Sequence, residues 1–125
     1  MMYDESFVVA VDFDGTIAKG STYGSTGTLD PEAKDVLGRL RRLGCTLVLW
    51  TCREGEDLEE AKRLLREWGV EMDYFNEYPL RNGAPKVNAD FYIDDKALPG
   101  AIDWERTYDY IREMKEWRHS RTSRG

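Results

Sequence analysis

Histidine and cysteine are scarce in this chain of 125 residues. The single histidine, His119, lies among arginines near the end of the sequence, which argues against a mechanism that needs a histidine general base. The two cysteines, Cys45 and Cys52, do not have the spacing of a metal-binding motif. We therefore expect two reduced thiols rather than a disulfide.

Long apolar runs and an excess of positive charge are also absent. No stretch approaches the roughly 20 apolar residues that cross a bilayer, and residues 1–6 are too polar for a secretory signal. A cytoplasmic protein without a membrane partner is expected. The net charge of −6 argues against general binding of nucleic acid. The length and the 41% hydrophobic content predict one domain over residues 1–117, followed by a basic, flexible tail over 118–125.

Short apolar segments alternate with amphipathic ones along the chain. Asp30 suits the N-cap of a helix, Pro31 its first turn and Gly44 the position after its last turn. This order of elements predicts an α/β fold with a mainly parallel sheet. The predicted strands are 6–11, 46–51, 70–76 and 89–93, the predicted helices are 30–44, 57–69 and 103–118, and a loop rich in Gly, Ser and Thr is predicted over 15–28.

Polar side chains follow three of the predicted strands. They are Asp12 and Asp14 after the first strand, Thr51 at the end of the second with Arg53 two residues later, and Asp94 and Asp95 after the fourth. Ligands bind at the carboxyl ends of the strands in parallel sheets, so we expect these groups to converge. Gathered carboxylates repel each other unless a cation lies among them, and oxygen ligands suit Mg²⁺.

The spacing of the first pair of acids adds a geometric expectation. In an extended strand, Asp12 and Asp14 would point to the same side because side chains repeat every two residues. Gly15 permits a sharp bend directly after them. The two carboxylates are therefore predicted to act on one substrate.

Three stretches carry a more specific signal: "AVDFDGT" from residue 10, "LVLWTCR" from residue 47 and "ADFYIDD" from residue 89. Together with a lysine before the last acidic pair, they resemble the haloacid dehalogenase superfamily of phosphotransferases. The resemblance runs from residue 7 to residue 95 and implies a three-layer, Rossmann-like fold without a cap domain. It also implies a phosphomonoester hydrolase that uses Mg²⁺ and an aspartyl-phosphate intermediate.

The resemblance implies a role for each of four residues. Asp12 is the nucleophile, and Asp14 protonates the leaving oxygen and then activates water. Thr51 donates its hydroxyl to a phosphoryl oxygen, and Lys86 places a positive charge beside the same group. The family lysine is assigned to Lys86, which lies before the last acidic pair. Lys96 lies after that pair and does not fit the pattern.

The resemblance also implies which residues bind the metal and the substrate. Asp12, Asp94 and the backbone carbonyl of Asp14 would bind Mg²⁺, with Asp95 beside Lys86 or a metal-bound water. The residues implied to contact substrate are Gly15, Thr16 and Arg53. For the arginine, a surface or capping role is an open alternative.

The substrate is predicted only by class. The intervals between the motifs are filled by predicted elements, which leaves no room for a cap domain and predicts an open site. An open site suits a phosphorylated small molecule, nucleotide or macromolecule, or requires a neighbouring subunit of a homo-oligomer to exclude water. Two other classes stay open: a signalling module that carries a long-lived phosphoaspartate, and a binding protein that keeps the fold without the activity. The early Asp-x-Asp pair and the late double acid disfavour the signalling class.

Overall fold

A computed structural model describes residues 7–20, 27–77, 89–94 and 102–124, with side chains up to Arg118 in the last range. Strands and helices are interspersed along these ranges, which confirms the predicted α/β class. The elements in chain order are β1 (Phe7–Val11), β2 (Ala18–Lys19), β3 (Thr28–Leu29), α1 (Pro31–Arg42), β4 (Cys45–Leu49), α2 (Gly55–Trp68), β5 (Tyr74–Phe75), β6 (Phe91–Ile93) and α3 (Trp104–Arg124).

The central sheet has the strand order β5-β4-β1-β6, and each neighbouring pair is parallel. Val11 at the end of β1 lies opposite Leu49 of β4 and Ile93 of β6. Leu49 in turn lies opposite Phe75 of β5. The four strands therefore end at the same level, and the predicted mainly parallel sheet is confirmed.

The hydrophobic core forms around β1, whose five residues are all buried. A central parallel strand is covered on both faces, which explains its continuous run of apolar residues. Helix α1 packs against β4 and α3. Its buried residues recur at helical spacing and are Ala33, Val36, Leu37 and Leu40.

Asp30 connects the first helix to the rest of the domain. Its side chain accepts a hydrogen bond from the backbone N–H of Glu32, 3.0 Å away, so it is the N-cap that the sequence predicts. The same carboxylate accepts a 3.1 Å bond from the indole N–H of Trp104 in α3 and lies 3.5 Å from the ammonium of Lys19. These bonds offset the cost of burying its charge.

β2 lies within the predicted loop over 15–28, and β3 begins at its last residue. β2 pairs with β3 in antiparallel fashion, with Ala18 opposite Leu29 and Lys19 opposite Thr28. A strand of two residues has no measurable alternation, so the turn-forming composition dominated the prediction. Main-chain pairing therefore joins Ala18 and Lys19, which follow the first motif, to the residues just before α1.

The C-terminal helix also differs from the prediction. α3 has 21 residues and continues to Arg124, through most of the predicted flexible tail. No proline or glycine interrupts the sequence between Trp104 and Arg124, so nothing local ends the helix there. Among the described residues, no helix is both long enough and apolar enough to cross a membrane.

Candidate functional site

Four side chains follow directly after the level ends of the four parallel strands. They are Asp12 after β1, Trp50 after β4, Asn76 after β5 and Asp94 after β6. All four line one cleft of about 510 Å³ at the carboxyl edge of the sheet. The sequence predicted this edge as the site, and the structure brings Asp12, Thr51, Arg53 and Asp94 together there.

The acids at the ends of β1 and β6 are neighbours in the sheet. The backbone N–H of Asp12 donates to the carbonyl of Ile93, 3.0 Å away, which continues the β1–β6 ladder by one step. Asp12 is half-buried and Asp94 is exposed. Because adjacent strands lie about 4.8 Å apart, the backbones of the two acids are close neighbours, and both residues line the cleft.

The donor chemistry of this pair fits Mg²⁺. Magnesium is commonly held by one or two carboxylates, and waters and substrate phosphate complete its octahedral shell. Asp12 and Asp94 supply two carboxylates on one wall of the cleft. Within the described ranges, no group of three or more histidine, cysteine or acidic side chains forms a metal cluster. Asp95, which is also assigned to the metal site, lies outside those ranges.

The chain turns sharply after Asp12. The carbonyl of Phe13 accepts hydrogen bonds from the N–H groups of Thr16, Ile17 and Ala18, at 3.2, 3.1 and 3.0 Å. Gly15 has φ +80°, so the bend predicted at this glycine is confirmed. β1 ends before this turn, so the extended geometry assumed for Asp12 and Asp14 does not apply.

The turn places two of the three predicted substrate-binding residues outside the lining of the cleft. Gly15 and Thr16 are not among the described residues that line it, and Thr16 is buried. Asp14 does not line it either; its carboxylate is bound by Arg53. The lining of the cleft includes Asp12 but not Asp14, so the predicted use of both acids on one substrate stays a prediction.

Arg53 forms a two-point ion pair with Asp14. Its Nε donates to Oδ2 at 2.9 Å and its Nη2 donates to Oδ1 at 2.8 Å. The arginine side chain is 1% exposed and that of Asp14 is 24% exposed. Such parallel bonds are stronger than a single neutral hydrogen bond, and they stabilise the ionised form of the carboxylate.

The surroundings of Arg53 also stabilise its charge. The hydrogen bonds to Asp14 raise the pKa of the guanidinium above its usual value, although burial opposes this. The nearby charges of Asp14, Glu60 and Asp57 raise the pKa further. The alternative prediction, that Arg53 is a surface arginine, is wrong because its side chain is almost completely buried.

Thr51 lies two residues beyond β4, not at the end of the strand as predicted. Its backbone N–H donates to Oδ1 of Asn76 at 2.8 Å, which replaces the bond of a sheet partner. Its hydroxyl oxygen accepts from the backbone N–H of Arg53 at 3.2 Å. The hydroxyl can therefore donate its proton to a ligand in the cleft.

Asn76 is a site residue that the sequence analysis missed. It has φ +55°, a conformation that asparagine tolerates better than most residues, and its N–H donates to the carbonyl of Leu49 at 2.7 Å. Its position directly after a weak strand was the available signal. Lys86, the predicted family lysine, lies outside the described ranges.

A solved structure of a conserved protein from Bacteroides thetaiotaomicron is similar to this chain over almost its whole length. The two chains share 36% sequence identity and superpose with a TM-score of 0.77, and the match covers 87% of this chain and 92% of the other. This chain belongs to the family of that conserved protein. No protein-family model matches the sequence, and a search of curated proteins found no match.

Membership of this family supports the predicted α/β fold more directly than it supports the predicted reaction. An identity of 36% over nearly the full length supports the α/β arrangement with its parallel central sheet. The Bacteroides protein is described only as a conserved protein. Chemical assignments for the shared fold must therefore come from the cleft itself.

The two cysteines are free thiols with different surroundings, which leads to a labelling prediction. Cys45 is buried at the start of β4, and burial raises its pKa to about 11. Cys52 is exposed and lines the cleft. The thiolate is the reactive form of cysteine. At about pH 8, a disulfide reagent that releases a coloured product should therefore modify one thiol quickly in the native protein. In urea it should modify both thiols quickly.

The variant Cys52→Ser is the control for this measurement. It should show no fast thiol in the native state and one in urea. Two fast thiols in the native wild-type protein would contradict the burial of Cys45.

Proposed function

We propose that this chain is a Mg²⁺-dependent phosphomonoester hydrolase that acts through an aspartyl-phosphate on Asp12. One observation carries the proposal: Asp12, Asp94 and Thr51 line a single cleft at the carboxyl edge of a parallel sheet. The resemblance of the motifs to the haloacid dehalogenase superfamily supports the same chemistry. The N-terminus of α2 adds support, because Gly55 at its first position also lines the cleft and helix N-termini favour anions.

The protein's own residues divide the reaction into two steps. A carboxylate oxygen of Asp12 attacks phosphorus and the bond to the leaving oxygen breaks, which forms the aspartyl-phosphate. Water then attacks the same phosphorus, the bond to Asp12 breaks, and inorganic phosphate is released. Asp14 is proposed to enter the first step protonated and to give this proton to the leaving oxygen, and in the second step its carboxylate takes a proton from water. Thr51 donates a hydrogen bond to a phosphoryl oxygen throughout.

The charges around the transferred phosphoryl group complete the proposal. Asp12 and Asp94 would hold Mg²⁺ with the backbone carbonyl of Asp14 as a further ligand, and Asp95 would lie beside Lys86 or a metal-bound water. When bound, this ion neutralises the acids and attracts a phosphoryl oxygen. Lys86 is proposed to place a second positive charge beside the same group.

The substrate is proposed to be a phosphorylated small molecule, nucleotide or macromolecule that reaches an open site. We propose a three-layer fold with no cap domain over the sheet edge. Trp50 and Leu58 also line the cleft and offer apolar surface to a non-phosphate part of such a substrate.

The proposal is tested by a screen of phosphate esters with and without Mg²⁺. We expect the purified chain to release inorganic phosphate from an activated aryl ester such as p-nitrophenyl phosphate, and we expect a chelator to remove this activity. Added Mg²⁺ should restore it. A stable phosphoprotein without phosphate release would instead favour the signalling class. No phosphate release and no phosphoprotein under any condition would contradict both.

A further inference from the structure

Arg53 is held so firmly that it has little freedom to contact a substrate. Two of its nitrogens donate to Asp14 at 2.9 and 2.8 Å, and its Nη1 donates to the backbone carbonyl of Asp57 at 3.2 Å. Glu60 lies 4.0 Å from the same Nη1. A grip on a substrate phosphate would require the arginine to give up these bonds.

The aromatic ring between the two acids also fixes the guanidinium. The Arg53 guanidinium carbon lies 4.9 Å from the centre of the Phe13 ring, and that ring stacks on Trp68 of α2 at 6.1 Å. Phe13 is fully buried. Arg53 is therefore part of a rigid contact between the turn that follows β1 and helix α2.

We propose that Arg53 is a positioning residue that orients the Asp14 carboxylate for hydrolysis of the aspartyl-phosphate on Asp12. This inference rests on the proposed function. In the hydrolytic step, a water oxygen forms a bond to phosphorus, the bond from phosphorus to the Asp12 oxygen breaks, and Asp14 accepts the proton of the water. Two parallel bonds from Arg53 fix both oxygens of Asp14, so the base is in place before the water attacks.

This role differs from the substrate-binding role that the resemblance implies for Arg53. A substrate-binding arginine strengthens formation of the complex, so its loss raises KM and slows formation of the phosphoenzyme. A positioning arginine acts on the step in which Asp14 takes a proton, so its loss lengthens the lifetime of the phosphoenzyme. The two roles therefore predict changes in different steps.

The experiment uses radiolabelled p-nitrophenyl phosphate in a rapid-quench instrument with Mg²⁺ present. Nitrophenolate departs without needing a proton, so formation of the phosphoenzyme is insensitive to Asp14. The variants are Arg53→Gln and Arg53→Lys, with Arg41→Gln as a matched control. Arg41 also pairs with two acids, Glu71 at 2.9 Å and Asp73 at 2.8 Å, but it does not line the cleft.

We expect the phosphoenzyme of Arg53→Gln to decay about 100-fold more slowly than that of the wild type. A burst of nitrophenolate, up to one per chain, should precede slow turnover. Arg53→Lys should be slower by about 10-fold, because an ammonium cannot donate two parallel bonds to a carboxylate. Arg41→Gln should decay at the wild-type rate.

The decay constant is measured per phosphorylated chain, so unfolded molecules do not affect it. If Arg53→Gln takes up no phosphate, the decay of Arg53→Lys decides the question. Decay within about 3-fold of the wild-type rate, with a raised KM, would overturn the positioning role and restore substrate binding. If the wild type forms no phosphoenzyme, or if Asp12→Asn still forms one, the proposed function fails instead.

Discussion

Asp12→Asn is expected to lower kcat for phosphate release by at least about 1,000-fold, with no phosphoenzyme trapped by acid quench. The amide has nearly the same shape as the carboxylate, but it is not a nucleophile towards phosphorus. It also removes one of the two cleft carboxylates proposed to hold Mg²⁺. Asp12 lies directly after β1 and lines the cleft, so the change affects the centre of the proposed site.

The control for this variant is Asp35→Asn. Asp35 is an exposed acid on α1 that pairs with Arg39 at 3.3 Å, away from the cleft. Its loss should leave kcat within about 2-fold of the wild type, because exposed ion pairs contribute little. Phosphate release by Asp12→Asn at more than a few per cent of the wild-type rate would show that another residue is the nucleophile.

The sheet edge that forms the cleft was predictable because the sequence patterns that mark its strands and helices involve only residues close together in the chain. β1 is a continuous apolar run, and a strand buried on both faces needs such a run. Asp30 and Pro31 mark the start of α1 through capping rules that involve only neighbouring residues. Once the strands are known to be parallel, the positions of Asp12 and Asp94 follow from the topology.

The contacts between distant segments were not predictable in the same way. Arg53 and Asp14 are 39 residues apart, and nothing in the sequence distinguishes an arginine that binds a neighbouring carboxylate from one that faces solvent. Asn76 follows a strand of only two residues, too short for a clear periodic signal. Both residues affect the site through hydrogen bonds, whose partners depend on tertiary packing rather than on composition.

The second large effect is expected on stability, from the variant Asp14→Ala. It leaves the almost completely buried guanidinium of Arg53 without its two-point partner. Removing one member of a buried ion pair costs several kcal/mol, because the remaining charge stays desolvated. We expect the free energy of unfolding to fall by about 3 kcal/mol, measured by urea denaturation followed by circular dichroism.

The double variant Asp14→Ala/Arg53→Met distinguishes this explanation from a general loss of packing. Methionine removes the charge and keeps an unbranched apolar chain in the same space. The double variant should therefore be more stable than Asp14→Ala alone by about 1–2 kcal/mol, a coupling expected for residues in direct contact. Arg53→Met alone should cost less than Asp14→Ala, because Asp14 is 24% exposed and can be solvated when its partner is lost. Additive effects of the two substitutions would show that the buried charge is not the source of the instability.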